Sequence, residues 1–363
     1  MAKFEYTFPS IRGVQAGREY YVSMCPLRLI PKIFLFDEEE LTPELRAQRT
    51  LNRGRIPEMA RYVLDNKDNY VFSAITASVN GAVKFTSLGS GDADDRLGLL
   101  RVDMGAQFII NDGQHRRAAI EEAIKSDPAL GDETIAVVFF VDRGLSRSQQ
   151  MFADLNRHAI RPSRSLGLLY DHRNDTAKIG KLVALKSTAF AGMVELERST
   201  LSERSRKLFT LSAICSATSE FLASREFESI EKAAVAAIAF WDEVGKSIKE
   251  WAQVRELKVT AGEIRREFVH SHGVLLQAFG RVGAALSSGE KPAYQELAKL
   301  KKINWSRANG RDWEGRVMIG GRISKASNSI TLTTSFIKKK LGLALSPEEL
   351  RAESAFSKSG RNG

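Results

Sequence analysis

Two cysteines in 363 residues, Cys25 and Cys215, are too few for a disulfide framework. No stretch approaches the roughly 20 apolar residues that span a bilayer, and Met1-Ala2-Lys3-Phe4-Glu5 shows no apolar signal-peptide core. The expectation is a cytoplasmic protein with no membrane partner. Histidine is scarce: there are five. Two of them, His270 and His272, are two positions apart and would face different directions on a helix. Neither Cys-x-x-Cys, nor His-Glu-x-x-His, nor a Walker-type Gly-x-x-x-x-Gly-Lys-Ser/Thr occurs. No metal site and no P-loop is therefore legible. Internal repeats and low-complexity tracts are missing as well.

What remains is ordinary globular material with an uneven charge. Hydrophobic residues make up 43% and charged residues 27%, enough for one large domain or two ordinary ones. The net charge is +10. Residues 1–185 carry 25 Lys and Arg against 24 Asp and Glu, and residues 186–290 carry 14 of each. Residues 291–340 carry 12 against 3, and the last 23 residues carry 3 of each. Nearly all the excess lies in one window, a candidate surface for a phosphate backbone.

Periodicity predicts an α+β domain over 1–185 and a mainly helical domain over 186–363. Tyr20–Met24, Phe72–Val79 and Ile135–Val141 read as strands, the last as a buried one. A helix is predicted over 43–65, opening at Thr42-Pro43-Glu44. Ser146-Arg147-Ser148-Gln149 has capping-box spacing and opens a helix over 147–157. Further on, Thr210 starts a helix to about Ala223, and 228–253 reads as one long helix. Thr260-Ala261-Gly262-Glu263 is a second capping box, opening a helix to about Leu286, and Pro292 starts another. Ser306–Ser329 is expected to be irregular, before a last helix near 331–341.

Three polar clusters could carry chemistry. In Asn111-Asp112-Gly113-Gln114-His115-Arg116-Arg117, polar residues occupy a turn between a predicted strand and a predicted helix. Free N–H groups at a helix start, a glycine for close approach and two arginines suit a phosphate. Asp112 would cap the helix or hold a metal or water, and His115 could exchange a proton. A well-capped helix with solvated arginines explains the same letters equally well. Asp154-Leu155-Asn156-Arg157-His158, followed by Arg161-Pro162-Ser163-Arg164-Ser165, is a helix end rich in basic groups. Glu195–Lys207 mixes serines and arginines with acids and reads equally well as a solvated loop. Cys25, at a strand end, is expected to be a buried structural residue. In the basic window, Lys301, Lys302, Arg307, Arg311, Arg316, Arg322, Lys325, Lys338, Lys339 and Lys340 are the candidate DNA contacts. Trp305 and Trp313 among them are expected in the core.

The string Asp112-Gly113-Gln114-His115-Arg116 resembles the signature of the DGQHR-domain proteins. It is also similar to the Gly-x-His-Arg-Arg turn of the ParB/sulfiredoxin superfamily, where that turn meets nucleotide phosphates. Tyr20-Tyr21, Arg49-Thr50-Leu51-Asn52-Arg53-Gly54-Arg55-Ile56, Phe152-Ala153-Asp154-Leu155-Asn156-Arg157 and Glu197-Arg198-Ser199-Thr200-Leu201 follow the order of the DndB family. These are the DGQHR proteins of bacterial DNA phosphorothioation (Dnd) clusters. The resemblance covers the first two-thirds best. Sulfiredoxin chemistry is not implied, because Gln114 stands before His115.

The resemblance implies a ParB/sulfiredoxin-like fold for 1–185. It implies one pocket in which Asp112, Gly113, Gln114, His115, Arg116 and Arg117 face Asp154, Asn156 and Arg157. A nucleoside triphosphate with Mg²⁺ would sit there. The implied function is a DNA-binding repressor of a DNA phosphorothioation gene cluster. Its partners would be double-stranded DNA, other proteins of the cluster and a further copy of the chain. The competing reading is an NTP-hydrolysing or DNA-nicking enzyme with Asp112, Gln114, His115 and Arg116 as its catalytic groups. A scaffold with a vestigial pocket is the third.

Overall fold

The computed structural model describes residues 4–34, 53–91, 94–141, 150–151, 153–155, 162–223, 225–288 and 292–359. The chain divides into two compact units, 1–160 and 161–363. An N-terminal sheet and a helical C-terminal region make the fold α+β.

The first unit is a seven-stranded sheet. Its strands are β1 (Glu5–Gln15), β2 (Arg18–Pro26), β3 (Ile75–Asn80), β4 (Val83–Ser87), β5 (Leu97–Asp103), β6 (Gln107–Asp112) and β7 (Thr134–Val141). Their spatial order is β4-β5-β1-β2-β7-β3-β6. Only β3 and β7 pair in parallel; the other neighbours are antiparallel. The apolar run Ile135–Val141 becomes β7, between β2 and β3, as its β-branched and aromatic content predicts. The strand expected from Phe72 begins at Ile75. Among its described helices are α1 (Ile30–Ile33), α2 (Ile56–Asp65) and α3 (Gln114–Ser126). Ile30, Ile33, Phe34 and Ile120 join Ile75, Val79, Ile110, Val137 and Phe139 in one core. Each such side chain contributes roughly 1.5–3 kcal/mol by leaving water. Helix α2 packs on α3 through Val63 and Ala123. Residues 43–52 of the predicted 43–65 helix lie outside the described residues.

The second unit is built mainly from helices. These are α4 (Arg164–Tyr170), α5 (Asp175–Lys186), α6 (Leu211–Leu222), α7 (Ile230–Ser247), α8 (Lys249–Arg255), α9 (Ala261–Glu267), α10 (Gly273–Leu286), α11 (Gly310–Trp313), α12 (Ser327–Leu341) and α13 (Pro347–Ser359). Two-residue strands β8 (Val194–Glu195) and β9 (Phe209–Thr210) pair in parallel, and β10 (Met318–Ile319) and β11 (Arg322–Ile323) form a hairpin. Thr210 caps α6 as expected, accepting from the Ala213 N–H. The Thr260–Glu263 capping box is complete.

Two predicted helices are broken. The 228–253 pattern splits at Ile248, whose extended backbone (φ −118°, ψ 97°) separates α7 from α8. The turn there puts Trp251 into the core against Phe190 and Phe209. The helix from Thr260 stops at Glu267, because Phe268 bridges to Ser306 and the Val269 N–H goes to the Trp305 carbonyl. A tertiary strand-like pairing replaces a turn of helix. Pro292 precedes a 3₁₀ segment, Tyr294–Lys302, rather than an α-helix.

Trp241, Trp251 and Trp313 are fully buried and Trp305 nearly so, so the tryptophans of the basic window serve the core. Helix α12 is buried on all sides from Ser329 to Lys338. Its hydroxyls are largely satisfied locally: Thr334 Oγ1 donates to the Ile330 carbonyl at 2.8 Å and Ser335 Oγ to the Leu332 carbonyl at 2.9 Å.

Candidate functional site

The signature turn joins an edge strand to a helix. Between β3 and β6 the register passes from Thr76↔Asp112 to Ala77↔Ile110, so Asn111 is an extra residue, a bulge. It is fully buried, and its amide donates to Ser78 Oγ at 2.7 Å and to Met151 Sδ at 3.1 Å. Gly113 follows with φ 113°, a left-handed conformation that favours glycine. A Cβ there would also meet Ile75 Cγ1 at 3.1 Å and the Arg116 guanidinium at 3.2 Å. Gly113 is the N-cap of α3 and brings no side chain to its first-turn amides. Asp112 is thus not the cap. Its carboxylate accepts from Arg116 Nη2 at 2.6 Å, and the same nitrogen donates to the Ala74 carbonyl at 3.0 Å.

The two arginines face different ways. Arg116 stays partly open, and its Nε is buried with no hydrogen-bond partner. Arg117 is buried: it donates to the carbonyls of Phe34 and Pro31 and pairs with Glu121. Expected at a phosphate, Arg117 instead ties α3 to the end of α1. Gln114 donates back to the Ile110 carbonyl at 3.3 Å. His115 is half-buried, and its pKa is lowered by burial and by the charges of Arg55 and Arg116. Burial and the two neighbouring charges thus favour the neutral form of the ring. Arg55 lies in the Arg53–Arg55 turn at the head of α2. Sequence reasoning placed it in a motif but not at this turn. It named Asn111 in the run but gave it no role; the bulge there is disclosed only by strand pairing.

From the second cluster, Asp154 is exposed and accepts from Gln150 at 2.7 Å. Asn156 and Arg157 lie outside the described residues. The turn at 112–116 could hold a phosphate through a helix start without a side-chain cap and the nearby charges of Arg116 and Arg55. It fits Mg²⁺ poorly. Asp112 is engaged by Arg116, and among the described residues no three His, Cys, Asp or Glu side chains gather as metal ligands.

The basic window is sorted by the fold. Lys338 is buried and paired with Glu349 at 2.7 Å. Arg316 forms a two-pronged pair with Glu353 and lies over the Phe356 ring at 4.5 Å. Lys339 also reaches Glu353, at 2.6 Å. Helix α13 thus brings acids onto bases that are 11 to 37 residues away in sequence. Arg316 and Lys338, expected at DNA, hold α12 to α13 instead, and Lys339 shares its charge with the same acid. Arg307 donates to the carbonyls of Arg266 and Gly321. Lys340 lies over the Phe336 ring at 5.2 Å but remains exposed. Lys301, Lys302, Arg311, Arg322 and Lys325 are exposed.

The Glu195–Lys207 segment is an ordered loop. Arg265 donates to the carbonyls of Ser202, Glu203, Ser205 and Lys207, and Ser199 Oγ accepts from the Ser165 N–H at 2.9 Å. Its polar groups largely serve the fold. Cys25 is fully buried, and burial pushes its thiol up to about 12. That is far from the thiolate a redox role needs.

A family model, DndB (DNA-sulfur modification-associated), matches residues 8–344. The chain belongs to the DndB family. The match takes in the β1–β2 hairpin, the signature turn and the basic window, and stops before α13. Membership ties the protein to DNA sulfur modification. No curated protein and no solved structure matches the chain. Among the described residues no helix is long and apolar enough to cross a membrane.

Proposed function

We propose that this DndB-family protein is a DNA-binding transcriptional regulator, a repressor, of a DNA-sulfur modification gene cluster. The observation that carries the reading is how charge is divided between the two units. Residues 1–160 hold 20 bases and 22 acids, whereas residues 161–363 hold 34 and 22. After Arg316, Lys338 and Lys339 are set against Glu349 and Glu353, exposed cations remain at Lys301, Lys302, Arg311, Arg322, Lys325 and Lys340. Such a surface supports affinity for phosphates, largely independent of sequence. A bound nucleotide at Asp112, Gly113, Gln114, His115 and Arg116 would gate that affinity. The test is a salt titration of binding to the cluster's promoter duplex and to a random duplex, with and without ATP or CTP. Binding that ignores both salt and nucleotide would overturn the reading.

His115 favours a second reading. A neutral imidazole beside a phosphate-binding turn can take a proton from an attacking water. The protein would then be an NTP-hydrolysing enzyme, in which Arg116 binds the phosphate and His115 accepts the proton. Phosphate release from ATP by wild type and His115→Gln, with and without DNA, decides it. No release by wild type removes the enzyme.

A further inference from the structure

The hairpin β10–β11 is built to project. Its two central residues, Gly320 (φ 58°) and Gly321 (φ 72°), both have the positive φ that a two-residue type I′ turn requires. Ile319 and Arg322 are the cross-strand pair beside them. All four residues are exposed, and Ile319 is 61% exposed. The base is firm. Val317 and Met318 are buried in the core, and the Ser324 N–H donates to the Val317 carbonyl at 2.9 Å. The tip is braced too: the Glu314 carboxylate accepts from the N–H groups of both Gly320 and Gly321, and Arg307 Nη2 donates to the Gly321 carbonyl at 2.7 Å. A tip held by a carboxylate and a guanidinium loses little freedom on binding.

Its surroundings are cationic. Arg307, Arg311, Arg322 and Lys325 lie within nineteen residues of sequence. Of the two acids among them, exposed Glu314 is engaged by the turn's N–H groups and half-buried Asp312 accepts from Asn309 Nδ2 at 2.8 Å. Charge of this sign suits a polyanion. An exposed isoleucine next to an exposed arginine suits a groove that offers both phosphates and apolar base edges. The narrowest part of the hairpin carries no side chains, so its backbone suits the minor groove, about 6 Å wide.

We propose that the Met318–Ile323 hairpin enters the minor groove of double-stranded DNA, with Arg322 contacting the groove and Ile319 packing against base edges. Arginine is the residue that narrow, A·T-rich minor grooves attract, and apolar wedges are a common companion. This rests on the DNA-binding reading above and names the element that would carry it.

The test uses the full chain, a labelled A·T-rich duplex and a G·C-rich duplex, followed by fluorescence anisotropy. Arg322→Ala should weaken binding to the A·T-rich duplex at least tenfold and lower the log–log salt slope by about 0.9. Ile319→Ser should weaken it several-fold and leave the slope unchanged. Both positions are exposed, so melting temperatures should match wild type. A minor-groove-binding dye should compete. If wild type binds and both variants bind within twofold of it, the hairpin assignment falls while the DNA reading stands. If wild type binds neither duplex, both fall. Weakened variants without dye competition would reject the minor groove.

Discussion

Asp112 holds Arg116 across the start of α3 at 2.6 Å, and Arg116 in turn reaches back to the Ala74 carbonyl ahead of β3. One carboxylate thus aims the guanidinium that would meet a phosphate. Asp112→Asn should weaken ATP or CTP binding about tenfold, read by calorimetric titration. The pair is half-exposed at Asp112, so the melting temperature should scarcely change. Equal affinity in variant and wild type would sever the pair from the ligand.

Gly113→Ala should be costly in a different way. The substitution forces an L side chain into φ 113° and towards Ile75 Cγ1 at 3.1 Å. A loss of roughly 1–3 kcal/mol is expected, seen as a lower urea midpoint. A midpoint equal to wild type would mean that the turn relaxes without strain.

Lys338→Ala and Lys340→Ala should separate cleanly. Lys338 is buried against Glu349, and removing it leaves that acid without its buried cation. Breaking such a pair costs about 3–5 kcal/mol. Lys340→Ala should leave the melting temperature almost unchanged and reduce DNA affinity slightly. Replacing Lys338, Lys339 and Lys340 together would therefore report on folding before it reported on DNA. A melting curve for each single variant checks this.

Acid should loosen the second unit in two successive, slightly overlapping windows. Burial pushes His272 down to about 4 from an ordinary 6.5. The folded state then binds fewer protons than the unfolded one. Its contribution, about 3 kcal/mol, is complete above pH 6.5 and lost as pH falls towards 4. Burial would raise Glu353, but hydrogen bonds from Arg316, Lys339 and Ser335 outweigh it and hold the carboxyl at about 2. That contribution, also about 3 kcal/mol, is complete above pH 4.5 and lost as pH falls towards 2. Urea midpoints against pH should flatten between 6.5 and 4 in His272→Gln, and between 4.5 and 2 in Glu353→Gln. Curves parallel to wild type would contradict the assignment.

How much of this was legible in the sequence depended on range. Local devices read correctly: the Thr260 capping box, the Thr210 cap, the strand read at 135–141 and the core tryptophans. Each is settled by residues within one turn or one strand. The failures involve distant partners. Nothing near Phe268 announces the bridge to Ser306 that ends α9. Nothing in a windowed charge count announces that Glu349 and Glu353 return to Lys338 and Arg316. At the signature turn the division of labour between the two arginines was not legible. Arg116 and Arg117 are adjacent letters, yet a helix turns by about 100° per residue, so one faces the turn and the other the interior.

The buried position of α12 bears on how the protein is made. A helix enclosed on every side from Ser329 to Lys338 cannot be added to a finished core; the core closes around it. The apolar faces of α10 and its neighbours therefore stay open until residue 341 has left the ribosome. The last strand of the sheet, β7, has been synthesised by residue 141, and the first unit ends at residue 160. During translation the first unit can fold while the second is still an open, cationic chain. In the presence of polynucleotides, that interval is when the nascent protein is most exposed to premature, non-native capture.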